Sequence, residues 1–386
     1  MNISNNPNEV VDALLGYVEK EDFSGWDPYD SLNSDFLLKA SLGNKYIRAG
    51  ITQFFRRSSI NLRPLFKIKK GHNPKGLGLF LESYSKLYKL RGNEEYLTKI
   101  DRLLNLLEQT ISEGYTGNSW GYNFPWQSRV VFKPRWTPTI VNTSFIGHAL
   151  LYCHEFTGKE KALKLASSIS DWMLNDLNRK IEGDTFCFSY SPIDEEYVHN
   201  ANMLGASFLV RYGKLTNNEE LIKAAHQSLK FSINAQNADG SWYFAVLKTH
   251  HWVDSFHTGF KLESIRWFIE LNEGEEYQES YKKGIEFYKD NFFLSDGTPK
   301  YYHDKVYPID IHAPAEAIYF FSKFDDKSSE DLTKLVSDWV INNMYDPKKH
   351  YFYFRKSKNG HNKISYMRWT QSWILRGLSE YIYNKG

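Results

Sequence analysis

The sequence predicts an all-α protein, an (α/α)6 toroid of six helical hairpins with short β pieces in its long loops. Five helix starts share one character, a polar cluster that runs into an apolar stretch, and they recur about every 57 residues, near positions 142, 200, 254, 312 and 368. A sixth start stands one longer step upstream, near position 73. Helices that are apolar on one side only lie between these starts. A fixed period with two alternating helix types indicates a closed ring of hairpins.

The polar-start helices are predicted to be the inner helices of the ring, because they are apolar or small on nearly all sides. The other helices have a charged outer face. Pairing each outer helix with the inner helix that follows it gives six hairpins, with residues 35–57 and 76–90, 94–112 and 142–156, 159–177 and 200–213, 218–236 and 256–270, 276–291 and 312–324, and 329–344 and 367–383. Residues 1–34 are predicted to form an N-terminal arm that packs on a toroid domain of residues 35–386.

The links between the helices differ in length according to their direction. Turns from an inner to an outer helix are short and contain turn formers, as at Thr157-Gly158. Links from an outer to an inner helix are long and contain aromatic, strand-like pieces, as at residues 186–190 and 351–354. All long links therefore lie on one face of the ring, where the positive ends of the inner helix dipoles also meet. The functional site is predicted to lie on this face.

Composition excludes several classes of protein. The net charge of +2 provides no global field for a nucleic acid. Residues 36–81 contain no Asp or Glu but ten Lys and Arg, which indicates either a solvated basic surface or a wall that faces an anion. No apolar run approaches the roughly 20 residues that span a bilayer, and Met1–Val11 has no signal-peptide character, so we expect a cytoplasmic protein with no transmembrane segment. Cys153 and Cys187 are expected to be buried free thiols.

Acid–base candidates stand at the starts of the last three inner helices. Asp254 and His257 are three residues apart, so they share a helical face, and a carboxylate there can orient the imidazole, although Asp254 is equally suited to an N-cap. His312 occupies the matching position one hairpin later. Arg368, again at that position, suits a carboxylate. Asp30, in the N-terminal arm, is a further catalytic candidate.

Aromatic and polar side chains of the long links predict a saccharide-binding groove. Indole faces stack on the apolar faces of sugar rings while amides and cations bind hydroxyl and acid groups. The alternative is that the aromatics only pack beneath the loops. The predicted substrate-binding residues are Arg63, Lys75, Trp120, Trp136, Asn142, Asn200, Trp242, Arg368 and Trp369.

No metal or cofactor is predicted. The histidines form no HExxH motif, and neither a GxGxxG fingerprint nor a P-loop occurs. Gly-Xaa-Ser-Xaa-Gly is also absent. With these motifs absent, the sequence predicts acid–base catalysis or catalysis by a nucleophilic carboxylate.

The period, the helix starts and the aromatic links together resemble the six-hairpin toroid group of carbohydrate-active proteins. That group includes unsaturated glucuronyl hydrolases, N-acylglucosamine 2-epimerase-type enzymes, helical domains of uronate lyases and the C-terminal domain of glucuronyl C5-epimerases. Residues 25–33, 60–65, 70–76 and 253–260 also resemble a family of proteins encoded in surface-polysaccharide biosynthesis loci. The resemblance implies a pathway, and it brings no catalytic assignment.

This sequence differs from that group at positions that determine which reaction is expected. The paired aspartates of the glucuronyl hydrolases have no counterpart on two helix starts, because Asn142 and Asn200 stand where a second carboxylate would be expected. Epimerase or lyase chemistry at a uronate needs instead a cation on the carboxylate and His or Tyr bases. We therefore expect an enzyme that acts on an anionic saccharide or sugar-lipid in polysaccharide biosynthesis or modification, as an epimerase, lyase or hydrolase.

Two alternatives stay open at this point. One is a noncatalytic glycan-binding or scaffold protein, in which Asp254 is only a helix cap. The other is a terpene-cyclase-like toroid, because residues 236–242 match the QxxxGxW repeat of that class, although the match occurs once and the protonating acidic cluster is missing.

Overall fold

The computed structural model describes residues 6–385. Its α-helices are α1 (Pro7–Lys20), α2 (Asp35–Ala40), α3 (Lys45–Arg57), α4 (Pro74–Arg91), α5 (Glu95–Gln109), α6 (Ile140–Thr157), α7 (Glu160–Ala166), α8 (Ile169–Asn175), α9 (His199–Thr216), α10 (Glu219–Ile233), α11 (Ser255–Glu270), α12 (Gln278–Phe292), α13 (His312–Phe321), α14 (Lys327–Met344) and α15 (Ser372–Lys385).

Six inner helices form a closed ring. α4 packs on α6, α6 on α9, α9 on α11, α11 on α13, α13 on α15, and α15 returns to α4. The outer helices α5, α7, α10, α12 and α14 each pack on the inner helix that precedes them in the chain. This arrangement is the predicted (α/α)6 toroid, and the fold prediction is confirmed.

The sixth outer position is filled by α1, and not by residues 35–57 as the hairpin pairing predicted. α1 packs on α15, and its apolar stripe is part of the main hydrophobic core. The stripe consists of Val10, Val11, Leu14, Leu15 and Val18, a helical spacing that buries one complete face. Residues 35–57 instead form α2 and α3, which lie over a small separate cluster of Leu37, Phe55 and Ile68. The predicted arm therefore contains the helix that closes the ring.

Short strands occupy the long links, as predicted. They are β1 (Trp126–Gln127), β2 (Phe132–Lys133), β3 (Arg179–Glu182), β4 (Thr185–Phe188), β5 (Ile309–Asp310), β6 (Tyr345–Asp346), β7 (Tyr351–Phe352), β8 (Arg355–Ser357) and β9 (Gly360–Asn362). All pairings are antiparallel, in the pairs β1–β2, β3–β4 and β6–β7 and in the three-stranded order β5-β8-β9. Across residues 6–385, none of the helices has both the length and the apolar character that crossing a bilayer requires.

The axis of the ring is filled by two layers of side chains. The upper layer, below the N-terminal ends of the inner helices, is aromatic and consists of Phe145, Phe260 and Trp373, with ring centroids 5.0 to 5.2 Å apart. One turn further down, the buried Arg376 binds three glutamates from three other inner helices, Glu82 at 2.9 Å, Glu263 at 2.7 Å and Glu316 at 3.2 Å. The aromatic layer closes the centre of the ring, so any cavity at the axis opens toward the long links.

Candidate active site

Asp254 and His257 form a buried acid–imidazole pair at the start of α11. Asp254 is the N-cap, and one carboxylate oxygen accepts a hydrogen bond from the His257 backbone N–H at 3.1 Å. The other oxygen lies 2.7 Å from His257 Nδ1 and accepts from the Trp252 indole at 3.1 Å. Asp254 is therefore both a cap and a partner of the imidazole. The pair leaves His257 Nε2 as the nitrogen available to a substrate.

The environment of His257 favours the neutral form of its imidazole. Burial lowers the pKa of His257 below its ordinary value, and the adjacent Asp254 carboxylate opposes that shift. Its side chain is 18% exposed, whereas that of Asp254 is 1% exposed. The imidazole thus lies at the edge of the buried centre, where a ligand can reach it.

His312 begins α13, and the Phe256 ring contacts both this histidine and His257. The Phe256 ring centroid is 4.1 Å from that of His257 and 4.4 Å from that of His312. His312 also contacts Trp369 at 4.7 Å and Trp373 at 4.1 Å. Both of its ring nitrogens are buried without a hydrogen-bond partner among the described residues. Burial, followed by the nearby Lys75, lowers the pKa of His312 well below its ordinary value.

Lys75, in the first turn of α4, is a buried amine without an acidic partner. Its Nζ lies over the rings of Phe145 at 4.4 Å, Trp373 at 4.9 Å and Phe260 at 5.6 Å. In the described part of the chain no carboxylate lies within 4.0 Å of it, and Nζ makes no hydrogen bond. Burial, reinforced by Arg368 and Arg376, lowers the pKa of Lys75 well below its ordinary value. The amine therefore has cation–π contacts but no counterion.

The central site is the cluster formed by Lys75, Asp254, His257, His312 and Trp369. Four of these residues come from the starts of α4, α11 and α13, and Trp369 comes from the π-helical turn of residues Met367–Gln371 that leads into α15. Continuous ring contacts join them, from His257 through Phe256 to His312 and from His312 through Trp373 to the Lys75 amine.

The two predicted substrate-binding arginines are already paired inside the protein. Arg368 lies in a π-helical turn of residues Met367–Gln371 and binds both carboxylate oxygens of Asp27, at 2.5 and 2.7 Å. Arg63 is fully buried and donates to Asp30 at 2.7 Å and to the Asp27 carbonyl at 2.7 Å. These charge-assisted bonds fasten the N-terminal segment to the ring. The arginines are occupied by protein carboxylates, which corrects their predicted role as free ligands of a substrate acid.

Asp30 lacks access to a substrate for the same reason. It is buried beside Arg63 and accepts a hydrogen bond from the Asp27 backbone N–H at 2.9 Å. Burial raises the pKa of Asp30 to about 6, although Arg63 opposes the shift. Its contacts support a structural role, and the expectation that it is catalytic is withdrawn.

Two of the predicted tryptophan platforms are core residues. Trp120 and Trp242 are fully buried, and their indoles donate to the carbonyls of Leu107 and Ser232 at 2.9 Å. An indole that is enclosed on both faces cannot stack on a sugar, so this expectation is corrected. Trp136 is exposed on a long link. Trp369 alone of the four lies in the central site, where its indole donates to Asp310 at 2.8 Å.

The N-terminal ends of the inner helices contain many buried polar atoms that have no hydrogen-bond partner among the described residues. Asn142 lacks a partner for both amide atoms, and Asn200 lacks one for its oxygen. Buried polar groups are nearly always hydrogen-bonded, so a cluster of exceptions indicates a place that water or a ligand occupies. Within the described residues the cluster at this end of the ring consists of Asn142, Ser144, Asn200, His312, Thr370 and Trp373.

Sequence reasoning singled out neither Arg56 nor Asp310, which lie at the outer wall of the site. Arg56 of α3 lies over the Tyr29 ring at 5.3 Å, and the Tyr29 ring lies 5.2 Å from that of Trp369. The only hydrogen bond of the Arg56 guanidinium is a long one of 3.5 Å to Gln53. After Lys75, Arg56 is therefore a second cation without an acidic partner among the described residues. Asp310, two residues before His312, binds Arg355 at 2.8 Å. The position of Asp310 beside the start of an inner helix was the signal in the sequence that could have identified it. The signal for Arg56 was the acid-free basic segment of residues 36–81, for which a wall that faces an anion was one of the two predictions.

This arrangement is suited to proton transfer on an anionic molecule. One imidazole is oriented by a carboxylate, a second imidazole has both nitrogens free, and an unpaired amine lies beside them. The carboxylates Asp27, Asp310 and Glu316 are each bound to an arginine. Among residues 6–385, no three His, Cys, Asp or Glu side chains come together in a way that could hold a metal ion.

Comparison with known families identifies the chain. Residues 23–248 match the family described as beta-L-arabinofuranosidase, GH127 catalytic domain, over more than half of the sequence. The chain belongs to this family. The GH127 match includes Lys75, and it ends before Asp254 and the other helix starts that complete the central site. The prediction of a carbohydrate-active enzyme of the toroid group is confirmed, and the terpene-cyclase and scaffold alternatives are set aside. Curated protein sequences gave no match.

Solved structures share the fold. A sugar epimerase from a ruminal bacterium has a TM-score of 0.62 at 13% identity, covering 82% of this chain and 88% of the epimerase. Cellobiose 2-epimerase from Spirochaeta thermophila has a TM-score of 0.63 at 13% identity, covering 81% and 86% of the two chains. A GH76 alpha-mannanase from Bacteroides thetaiotaomicron has a TM-score of 0.62 at 11% identity, covering 83% and 88%. Similarity at this level of identity establishes the toroid and no shared substrate.

Proposed function

We propose that this member of the GH127 family acts on an anionic, uronate-containing saccharide by acid–base chemistry at the central site. The observation that carries the proposal is the unpaired Lys75 amine, which lies in the same cluster as two imidazoles. A buried amine without a counterion is a costly feature, and a substrate carboxylate would compensate for it. His257, oriented by Asp254, is the proposed general base, and His312 the second proton carrier.

The nature of the bases favours proton transfer at carbon over direct hydrolysis. Simple inverting hydrolysis uses two carboxyl groups roughly 6.5–9.5 Å apart, one of them free to activate water. Here Asp254 is bound to His257, and Asp27 and Asp310 are bound to arginines. Two imidazoles and a cation on the acid group suit epimerisation or elimination next to a carboxylate. Hydrolysis is the second candidate, because the family described as beta-L-arabinofuranosidase is named for it.

The remaining parts of the proposal come from the sequence. A place in surface-polysaccharide biosynthesis or modification rests on the resemblance of residues 25–33, 60–65, 70–76 and 253–260 to proteins of such loci, and so does a sugar-lipid form of the substrate. A cytoplasmic location stays a prediction. Asn142 and Asn200 are proposed to bind sugar hydroxyls through their unpartnered amide atoms, and Trp369 is the proposed stacking surface.

Calorimetry tests the anionic substrate. Uronate oligosaccharides and their neutral, carboxyl-reduced counterparts are titrated into the protein in buffers of different ionisation enthalpy. Because burial lowers the pKa of Lys75 and a bound carboxylate should raise it, the resulting proton uptake is measured as a dependence of the binding enthalpy on the buffer. Lys75→Met should lose both the proton uptake and the preference for the acid, whereas Lys348→Met, on an exposed loop, should keep them. Equal affinity of the native protein for acid and neutral sugars would refute the proposal.

Isotopic labels identify the reaction. In heavy water an epimerase leaves deuterium at the carbon next to the acid group, and a lyase gives an unsaturated, shortened product. A hydrolase incorporates labelled oxygen from water into the released sugar. Deuterium or unsaturation in the product supports the imidazole mechanism, and labelled oxygen alone would establish the second candidate.

A further inference from the structure

The segment of residues 36–65 carries an apolar surface that nothing in the ring covers. Seven large apolar side chains are exposed along it, including Leu42, which is 86% exposed, and Phe54, which is 60% exposed. The complete set is Phe36, Leu42, Tyr46, Ile47, Phe54, Ile60 and Leu65. Scattered exposed apolar residues are ordinary, but seven within one segment of 30 residues indicate a surface that binds something.

The helix α3 is apolar on two faces. Thr52 and Phe55 face the protein. Tyr46, Ile47, Gly50 and Phe54 are exposed and share with Arg57 one helical face, which points away from the ring. A surface helix normally presents polar residues there. The outward face is therefore suited to an apolar environment.

The turn between α2 and α3 holds Leu42 outward in an unusual conformation. Leu42 has φ +49°, in the left-handed region that residues other than glycine and asparagine seldom adopt. Its side chain has hardly any cover in the folded chain. This turn therefore adds an outward leucine to the apolar surface of residues 36–65.

Basic residues surround this apolar face without acidic partners. Lys45 and Arg57 are exposed at the two ends of α3, and Lys39, Lys67 and Lys69 are exposed beside it. None of the five forms an ion pair in the described structure. The only acid on α2 and α3 is Asp35. Two such faces repel each other, which argues against a second copy as the occupant.

We propose that the α2–α3 face of residues 36–65 docks on an anionic lipid surface. Exposed apolar side chains that enter the interface, flanked by Lys and Arg that meet acidic headgroups, are the combination that interfacial helices use. The opposite side of α3 supplies Arg56 to the wall of the central site. Docking would thus place the wall of the site that contains Arg56 beside the bilayer. The docking itself is independent of the proposed reaction, because it rests on a different surface.

Vesicle flotation tests the docking with the full chain. The native protein should float with vesicles of phosphatidylcholine and phosphatidylglycerol about tenfold more than with phosphatidylcholine alone, and high salt should abolish the difference. The double variant Ile47→Ser, Phe54→Ser should reduce the bound fraction about tenfold, and so should Lys45→Gln, Arg57→Gln. The control Ile181→Ser, Leu215→Ser removes exposed apolar residues elsewhere and should leave binding unchanged.

Several results would overturn the proposal. Equal or absent binding to the two kinds of vesicle would do so, as would an effect of the control that matches that of the α3 variants. Binding of soluble polyglutamate without vesicle binding would establish an acidic protein as the partner. A concentration-dependent dimer in sedimentation that Ile47→Ser, Phe54→Ser abolishes would establish a second copy. Circular dichroism checks that each surface variant folds.

Discussion

At the scale of single residues, the decisive feature is which charges are already paired. Arg63 and Arg368 attract attention in the sequence because guanidinium groups suit carboxylates, yet both are bound to aspartates of the N-terminal segment. Lys75 is less conspicuous, but it has no counterion among the described residues. Pairing depends on which distant residue lies opposite, and this cannot be derived from local sequence.

The Asp254 carboxylate should set the pH dependence of the reaction. As a base, His257 works above its pKa, so activity falls on the acid side as the pH drops through that value. Since Asp254 raises the pKa of His257 against burial, Asp254→Asn should move the acid limb to lower pH and reduce kcat about 100-fold through loss of orientation. Asparagine is also an N-cap, so the helix should persist.

The matched control for this measurement is Asp326→Asn, which changes the N-cap of α14 away from the site. Its pH–rate profile should coincide with that of the native enzyme. An unmoved acid limb in Asp254→Asn, with turnover intact, would exclude His257 as the base.

At the scale of elements, the inner helices are packed so closely that two of them touch through backbone. A Cβ at Gly377 of α15 would lie 2.5 Å from the Ala315 carbonyl oxygen of α13. Because the obstacle is backbone, the helices themselves must separate to admit it. The ring geometry therefore requires glycine at this crossing.

Gly377→Ala should destabilise the protein by about 1–3 kcal/mol through this overpacking, measured by chemical denaturation. Gly16→Ala on α1 is the control, since nothing lies within 4 Å of its added Cβ. It should stabilise the protein by about 0.4–1 kcal/mol, because alanine reduces the entropy of the unfolded chain. Stabilisation by both substitutions would contradict the close contact between α13 and α15.

The buried layer of Arg376 and three glutamates, below the aromatic layer, gives a second prediction for α15. Arg376→Met leaves three buried glutamates without their shared cation and should cost about 3–5 kcal/mol in unfolding free energy. Lys334→Met breaks the exposed pair with Asp338 and should cost at most about 1 kcal/mol. Comparable costs for the two variants would contradict the burial of the Arg376 layer.

At the scale of the whole molecule, the buried histidines link stability to pH. Burial lowers the pKa of His199 to about 3, compared with about 6.5 when unfolded. Between these values the unfolded chain binds a proton that the folded protein does not. The contribution of His199 to stability is therefore complete above pH 6.5 and is lost as the pH falls toward 3.

His199→Asn should remove this contribution to the pH dependence. Asparagine keeps a polar group near Ser232, the partner of His199 Nδ1. The unfolding free energy of the variant relative to the native protein should rise as the pH is lowered from 6.5, by about 1.4 kcal/mol per pH unit at most. Denaturation curves at several pH values measure it. Gln278→Asn, an exposed change that involves no titratable group, should show a constant difference.

The sequence by itself determined the ring, because helix period, alternating amphipathicity and link length are local properties that repeat. It also placed Lys75, Asp254, His257, His312 and Trp369 at one end of the inner helices, since residues at matching positions of a repeat meet at the same face. The starts of α4, α11 and α13 agree with the predicted ones to within two residues.

Only the tertiary structure decided what those residues have as neighbours. It showed that α1 closes the ring, that Trp120 and Trp242 are enclosed, and that the arginines are neutralised while Lys75 is not. Each of these outcomes depends on contacts between segments far apart in the chain. A periodic pattern fixes the position of a side chain around the ring, but burial and charge pairing depend on what the rest of the chain places against it.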